Sequence, residues 1–316
     1  MNTNKHKNSG SITLFKTLAK EKFEEWKNNL LGDDTNSIRS QIYDMIFDSA
    51  IFQCINESRR YVATDCKDDI KQSKMLLYFI NQSFFKTQLM SIRRLVDKDF
   101  NRLQQNKPYT VFSLYNLIED IKKHNTLLTR KNVLAAYNLP YNYEEALAEY
   151  KNSIDHTKPY LVPQEIAYSE DFHRRIDSAA SIATEKRSPD DLIPINNLKQ
   201  FEIRFNDIEE LCRYVNKYIV HSATSESRRN VPEEIEGALG KVLNAHRIIC
   251  ETASYIGNRL LFCGFGSFLS GPQYGQFDQF DLFEYLDEPI ASQETIKKLR
   301  KFWEKYRMET EQWNQL

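Results

Sequence analysis

The segment Arg213-Tyr-Val-Asn-Lys-Tyr-Ile-Val-His221 gathers side chains suited to phosphodiester chemistry. On an α-helix, Arg213 stands one turn before Lys217, and Lys217 one turn before His221. Tyr214 and His221 are seven apart and share a face. Leu198, Phe201, Phe205, Ile208, Cys212, Val215 and Ile219 alternate spacings of three and four, the mark of a packing seam on a helix of about 25 residues. With Val215 and Ile219 on that seam, Arg213, Lys217 and His221 point away from it. An imidazole can move a proton near neutral pH, and flanking cations can hold a phosphate while its charge grows. These are parts of a metal-free ribonuclease. The plainer alternative is a solvated helix face that ends in a histidine, where the helix dipole favours the imidazolium.

Arg93-Arg94, with Asp97, forms a second candidate. It is either a phosphate clamp beside the first strip or a surface ion pair between Arg93 and Asp97 at i,i+4, worth a few tenths of a kcal/mol. The clamp requires the two helix ends to be neighbours. A third candidate is the basic back of the last helix, with Lys297, Lys298, Arg300, Lys301, Lys305 and Arg307 opposite the seam Ile296, Leu299, Trp303, Tyr306 and Trp313. Such a helix can bind nucleic acid, a membrane surface or a partner, or dock its seam on its own core; the tryptophans favour docking.

Other chemistry is poorly represented. Gly264-Phe-Gly266 lacks the strand and GK[ST] of a phosphate loop. Asp278, Asp281, Glu284, Asp287 and Glu288 lack the glycine-turned loop of a calcium site. The six histidines include no HxxxH pair, and the five cysteines no CxxC pair, so neither zinc nor a disulfide framework is expected. No metal or cofactor is called for.

The elements that must position these groups are helices. No glycine occurs between Gly32 and Gly237, and no proline before Pro108. Hairpins need positive-φ residues, so these gaps argue for an all-α chain, an antiparallel helical bundle. Residues 1–11 read as a disordered tail. Residues 12–263 read as the bundle, and 264–316 as an irregular, aromatic-rich Gly/Phe segment followed by a C-terminal amphipathic helix that docks on it. A first helix is expected from Leu14 to Leu31, closed by Gly32. The next carries Ile38, Ile42, Met45, Phe52 and Ile55, with its cap among Asp33 to Asn36. A long one runs from about Lys67 to Asp99; its wide stripe (Leu77, Tyr78, Ile80, Phe84, Phe85, Leu89, Ile92, Val96) suggests the central helix. Thr110 is placed to cap the one after. Residues 138–196 suggest two shorter helices and Pro-rich connectors, and Pro232 suits the first position of a helix reaching about Cys263.

A formal charge of -1 excludes the strongly basic class that coats nucleic acid without specificity, so any such contact rests on a local patch. The start of the chain has no apolar signal-peptide core, and no stretch approaches the roughly 18 apolar residues of a membrane span. A reducing cytoplasm is the expected setting.

Asn216-Lys-Tyr-Ile-Val-His221 near the end of a long helix, Ser91-Ile-Arg-Arg-Leu-Val-Asp97 late in an earlier one, and Ser113-Leu-Tyr-Asn-Leu-Ile-Glu-Asp-Ile121 resemble the HEPN superfamily, in particular its AbiU-like abortive-infection branch. The resemblance spans about residues 40–262. It implies a helical bundle, often a homodimer, with the motif helices facing each other across a two-fold axis. It also implies metal-independent RNA cleavage, with His221 and the polar Asn216 in the motif. The arginine slot holds Val215, on the apolar seam; Arg213 lies one residue outside the pattern, and Lys217 lacks a guanidinium fork. The implied function is an effector that cuts or binds RNA, with Arg213, Asn216, Lys217 and His221 as catalytic candidates and Arg93, Arg94 and Tyr214 as RNA contacts. The alternative is a non-catalytic module of a defence or toxin–antitoxin system that binds a nucleotide, an RNA or a protein, the last through the C-terminal helix.

Overall fold

The computed structural model describes residues 5–65, 74–98, 111–154, 161–220, 223–233, 235–272 and 293–314. Within them the chain is all-α. No strand occurs among the described residues, only an isolated bridge between Thr129 and Leu192.

Helix α1 spans Lys5–Leu31 and α2 Ile38–Asp65. The first begins at Lys5, earlier than Leu14 and inside the segment expected to be a tail. Ala19, Phe23, Trp26 and Leu30 recur at spacings of four, three and four, and all are buried. Gly32 donates its N–H to the Asn28 carbonyl at 2.9 Å. A Cβ there would sit 2.4 Å from that same oxygen, so the chain can close on α1 only with glycine. Ser37, one residue beyond the expected range, caps α2 by accepting from the Ser40 N–H at 3.3 Å. The face Ile38, Ile42, Met45, Ile46, Ala50 and Cys54 is wholly buried.

Helix α3, Lys74–Leu95, departs from expectation. Its second half is core, through Phe84, Leu89, Ile92 and Leu95. Its first half is not: Met75, Tyr78 and Phe79 are 82%, 68% and 66% exposed. The central helix is instead α10, Ala238–Tyr255, which packs against α2, α3, α4 (Leu114–Lys123) and α8 (Asn197–Tyr214). Val242, Ala245, His246, Ile249, Cys250 and Ala253 are buried around it. Helix α3 also meets α2, α8 and α10, but its first half stays exposed, whereas α10 carries buried residues from Val242 to Tyr255.

Two boundaries move. Ser113, not Thr110, caps α4 by accepting from the Asn116 N–H at 3.2 Å. Gly237, at φ 65°, precedes α10, so Pro232 lies before the helix and not at its first position. The middle holds α5 (Arg130–Ala136), α6 (Tyr143–Ser153) and α7 (Gln164–Ala180). This middle section is anchored by Arg130, which is fully buried. Its guanidinium reaches Asp177 at 2.6 Å, Asp191 at 2.9 Å and the His173 ring at 3.0 Å. Burial alone would raise the Asp177 carboxyl, but donation from Arg187 and Arg130 overrides it and holds the group below the usual carboxylate range.

The last helix, α11 (Gln293–Gln312), packs on α2. Leu299, Trp303, Tyr306 and Trp313 are buried; Trp303 donates to the Ser270 carbonyl at 3.0 Å, and Tyr306 to Ser49 at 3.2 Å. On its outer side, Lys298 pairs with Glu294, and Arg307 with Glu304 and Glu311. No helix among the described residues is long and apolar enough to cross a membrane.

Candidate nucleic-acid interface

Helix α8 runs 18 residues and then widens into a six-residue π turn, Val215–Val220. The apolar seam is as spaced in the sequence: Leu198, Phe201, Phe205, Ile208 and Val215 are buried, with Leu211 beside them. Cys212 and Ile219 are half-buried at its edge. Burial pushes the Cys212 thiol up to about 11 against the pull of Arg93, so it is no thiolate at neutral pH.

Arg213 is exposed, Tyr214 is half-buried against the core, and Asn216, Lys217 and Tyr218 are half-buried. Helix α3 packs against both α8 and the π turn, so the two helix ends are neighbours. Arg93 donates through Nε to Asn216 Oδ1, and its Nη1 lies 3.5 Å from Asp97. Arg94 goes elsewhere: its Nη2 reaches Asn36 Oδ1 at 3.4 Å, in the α1–α2 connection. The two arginines therefore turn to different elements, and only Arg93 faces the strip. Adjacent helix residues are separated by about 100° around the axis, which is enough to part them.

The sequence pattern did not single out Tyr218, Ser227 or Arg228. The rings of Tyr214 and Tyr218 stack with centroids 4.9 Å apart. Arg228, in the short α9 (Ser225–Arg228), lies over the Tyr218 ring at 5.3 Å. Lys217 Nζ donates to Ser227 Oγ at 2.5 Å, and the Tyr218 hydroxyl to the Val231 carbonyl at 3.0 Å. The chain after the π turn thus folds back over it. Two tyrosines four residues apart were a legible signal for the stack.

His221 lies outside the described residues, as do Thr110, Phe277, Phe280, Phe283 and the carboxylates Asp278, Asp281, Glu284, Asp287 and Glu288. Among the described residues, no group of three or more His, Cys, Asp or Glu side chains is placed to hold a metal ion. Arg93 meets Asn216 with Asp97 beside it, Arg228 lies over the stacked phenol rings, and Lys217 reaches Ser227, while Arg213 is exposed one residue before Tyr214.

Comparison of the chain with models of protein families, with curated proteins and with solved structures finds no match.

Proposed function

We propose that this chain is an RNA-binding effector of HEPN-like, AbiU-like type that cleaves RNA without a metal, acting in the cytoplasm in defence against phage. The observation that carries the reading is the bond between Arg93 and Asn216. It brings a guanidinium from α3 to the polar motif residue on the π turn, where the chain's own arginine slot holds a buried Val215. In this reading His221 is the general acid or base, the ribose 2′-hydroxyl attacks the adjacent phosphate, and Arg93 and Lys217 offset the growing charge. Tyr214 offers a ring for a base to stack on. Two copies of the chain, meeting along the motif helices of their bundles, would place two such strips side by side.

The second reading is a module that binds RNA, a nucleotide or a protein without cutting. Val215 favours it: the side chain is 0% exposed and cannot meet a phosphate. Incubation of the purified protein with total RNA in EDTA, beside His221→Ala and Arg93→Gln, separates the two. Cutting by the parent and by neither variant supports the effector. RNA retention with identical, uncut traces leaves the non-catalytic module, and absence of both cutting and retention overturns the RNA reading.

A further inference from the structure

At the other end of α8, a cavity of about 740 Å³ opens between the end of α7, the connector before α8, the first turns of α8 and the end of α10. That volume suits a small molecule. Arg204 and Arg259 line it, and none of the residues lining it is an acid. Arg204 is held in place by Glu251 at 2.5 Å, with its guanidinium 5.7 Å from the Phe201 ring centre. One carboxylate does not exhaust the five N–H donors of a guanidinium. Arg259, exposed at the cavity, belongs to a second π turn, Ile256–Leu260.

The cavity also has an aromatic side. Phe201 and Tyr255 both line it, with ring centroids 5.3 Å apart. Tyr255 is fixed by its hydroxyl, 3.4 Å from the Pro194 carbonyl. The exposed amides of Asn197 and Gln200 lie on the same wall as Phe201, one turn apart along α8. Two guanidinium groups, a fixed pair of rings and adjacent amides match a flat, hydrogen-bonding ring that carries a phosphate.

We infer that this cavity binds a phosphate ester of mononucleotide size, its phosphate on Arg259 and Arg204 and its ring against Phe201 and Tyr255. The site is separate from the RNA surface: Asn197 and Arg213 are about 24 Å apart along the helix axis, at 1.5 Å per residue.

Calorimetric titration of the full chain with AMP, ribose 5-phosphate, adenosine and inorganic phosphate tests it. AMP should bind tightest, and removal of either its phosphate or its base should weaken binding about tenfold or more, the scale of one charge-assisted contact or one stacked ring. Arg259→Gln should weaken AMP by a similar factor. So should Gln200→Glu, which places an acid in the wall at an exposed helical position where the fold tolerates it. Both variants should leave RNA binding unchanged, and Arg93→Gln should leave AMP binding unchanged. The inference is overturned if AMP fails to bind at millimolar concentration. It is equally overturned if inorganic phosphate binds as well as AMP, or if Gln200→Glu binds AMP like the parent.

Discussion

The Arg130 guanidinium donates to Nδ1 of His173 at 3.0 Å, and this fixes which ring nitrogen carries the proton. Arginine has no acceptor, so Nδ1 must be bare. The proton then sits on Nε2, which donates to the Tyr141 carbonyl at 2.9 Å. Burial, and then the nearby Arg130 and Arg187 charges, favour this neutral ring, and the His173 pKa falls below its ordinary value although its bond to Tyr141 pulls the other way. Replacing the arginine takes the paired cation from Asp191 in a partly buried site, while Asp177 keeps Arg187. Arg130→Met should destabilise the chain by about 3–5 kcal/mol. Urea unfolding read by circular dichroism measures it, and a loss below about 1 kcal/mol would show that the knot is dispensable.

His246 sets an acid limit on stability. It is fully buried on α10, and burial drives its pKa down to about 3. The unfolded chain protonates this ring near pH 6.5, and the folded chain resists. Between those values the unfolded state binds more protons, so stability is complete above about pH 6.5 and falls as the pH drops, by up to about 1.4 kcal/mol per unit. His173 acts in the same direction. Urea midpoints at pH 7.5, 6 and 5 should decline, and His246→Leu should flatten the decline. A slope that is unchanged in the variant assigns the acid sensitivity to other groups.

The tyrosine stack predicts a separable effect on RNA. Tyr214→Ala should weaken single-stranded RNA by about 1–3 kcal/mol, roughly 5- to 150-fold, with little change in salt dependence. Arg213→Gln should instead lower the slope of log affinity against log salt by about 0.7. Fluorescence anisotropy across a salt series reads both, and identical behaviour of the two variants would contradict the division of labour.

The docking of α11 rests on Trp303, buried and bonded to Ser270. Trp303→Ala should cost about 3–5 kcal/mol. Because α11 packs on α2, limited proteolysis should release the last helix from the variant sooner than from the parent, and equal digestion rates would argue against it.

The helices were legible because their buried residues keep a 3.6-residue period, as in Phe23, Trp26 and Leu30 or in Leu198, Phe201 and Phe205. Gly32 announced the first stop. Centrality was not legible, since Met75, Tyr78 and Phe79 look as apolar as the residues of α10 while being exposed. Arg130 looked like any surface cation, because its partners Asp177, His173 and Asp191 lie 43 to 61 positions away. At the candidate site the sequence showed that α3 had to end beside Asn216 and Lys217, while His221 lies outside the described residues. The split between Arg93 and Arg94 was not legible, because it depends on Asn36 and Asn216, each supplied by a different element.

The π turn at Val215–Val220 has a consequence for the register of the chain. A ladder that reaches back five residues accommodates one residue more than an α-helix would, and so advances the phase of the downstream residues by about 100°. Deleting one residue within the turn would therefore be absorbed as ordinary α-helix, and the fold would survive. The deletion cancels the extra step, so the continuation keeps its bearing and Arg228 still meets Tyr218; a plain α-helix of unchanged length would instead turn it about 100° away. The wider turn works as an indexing step, aligning a rigid rod with the segment that wraps back onto it.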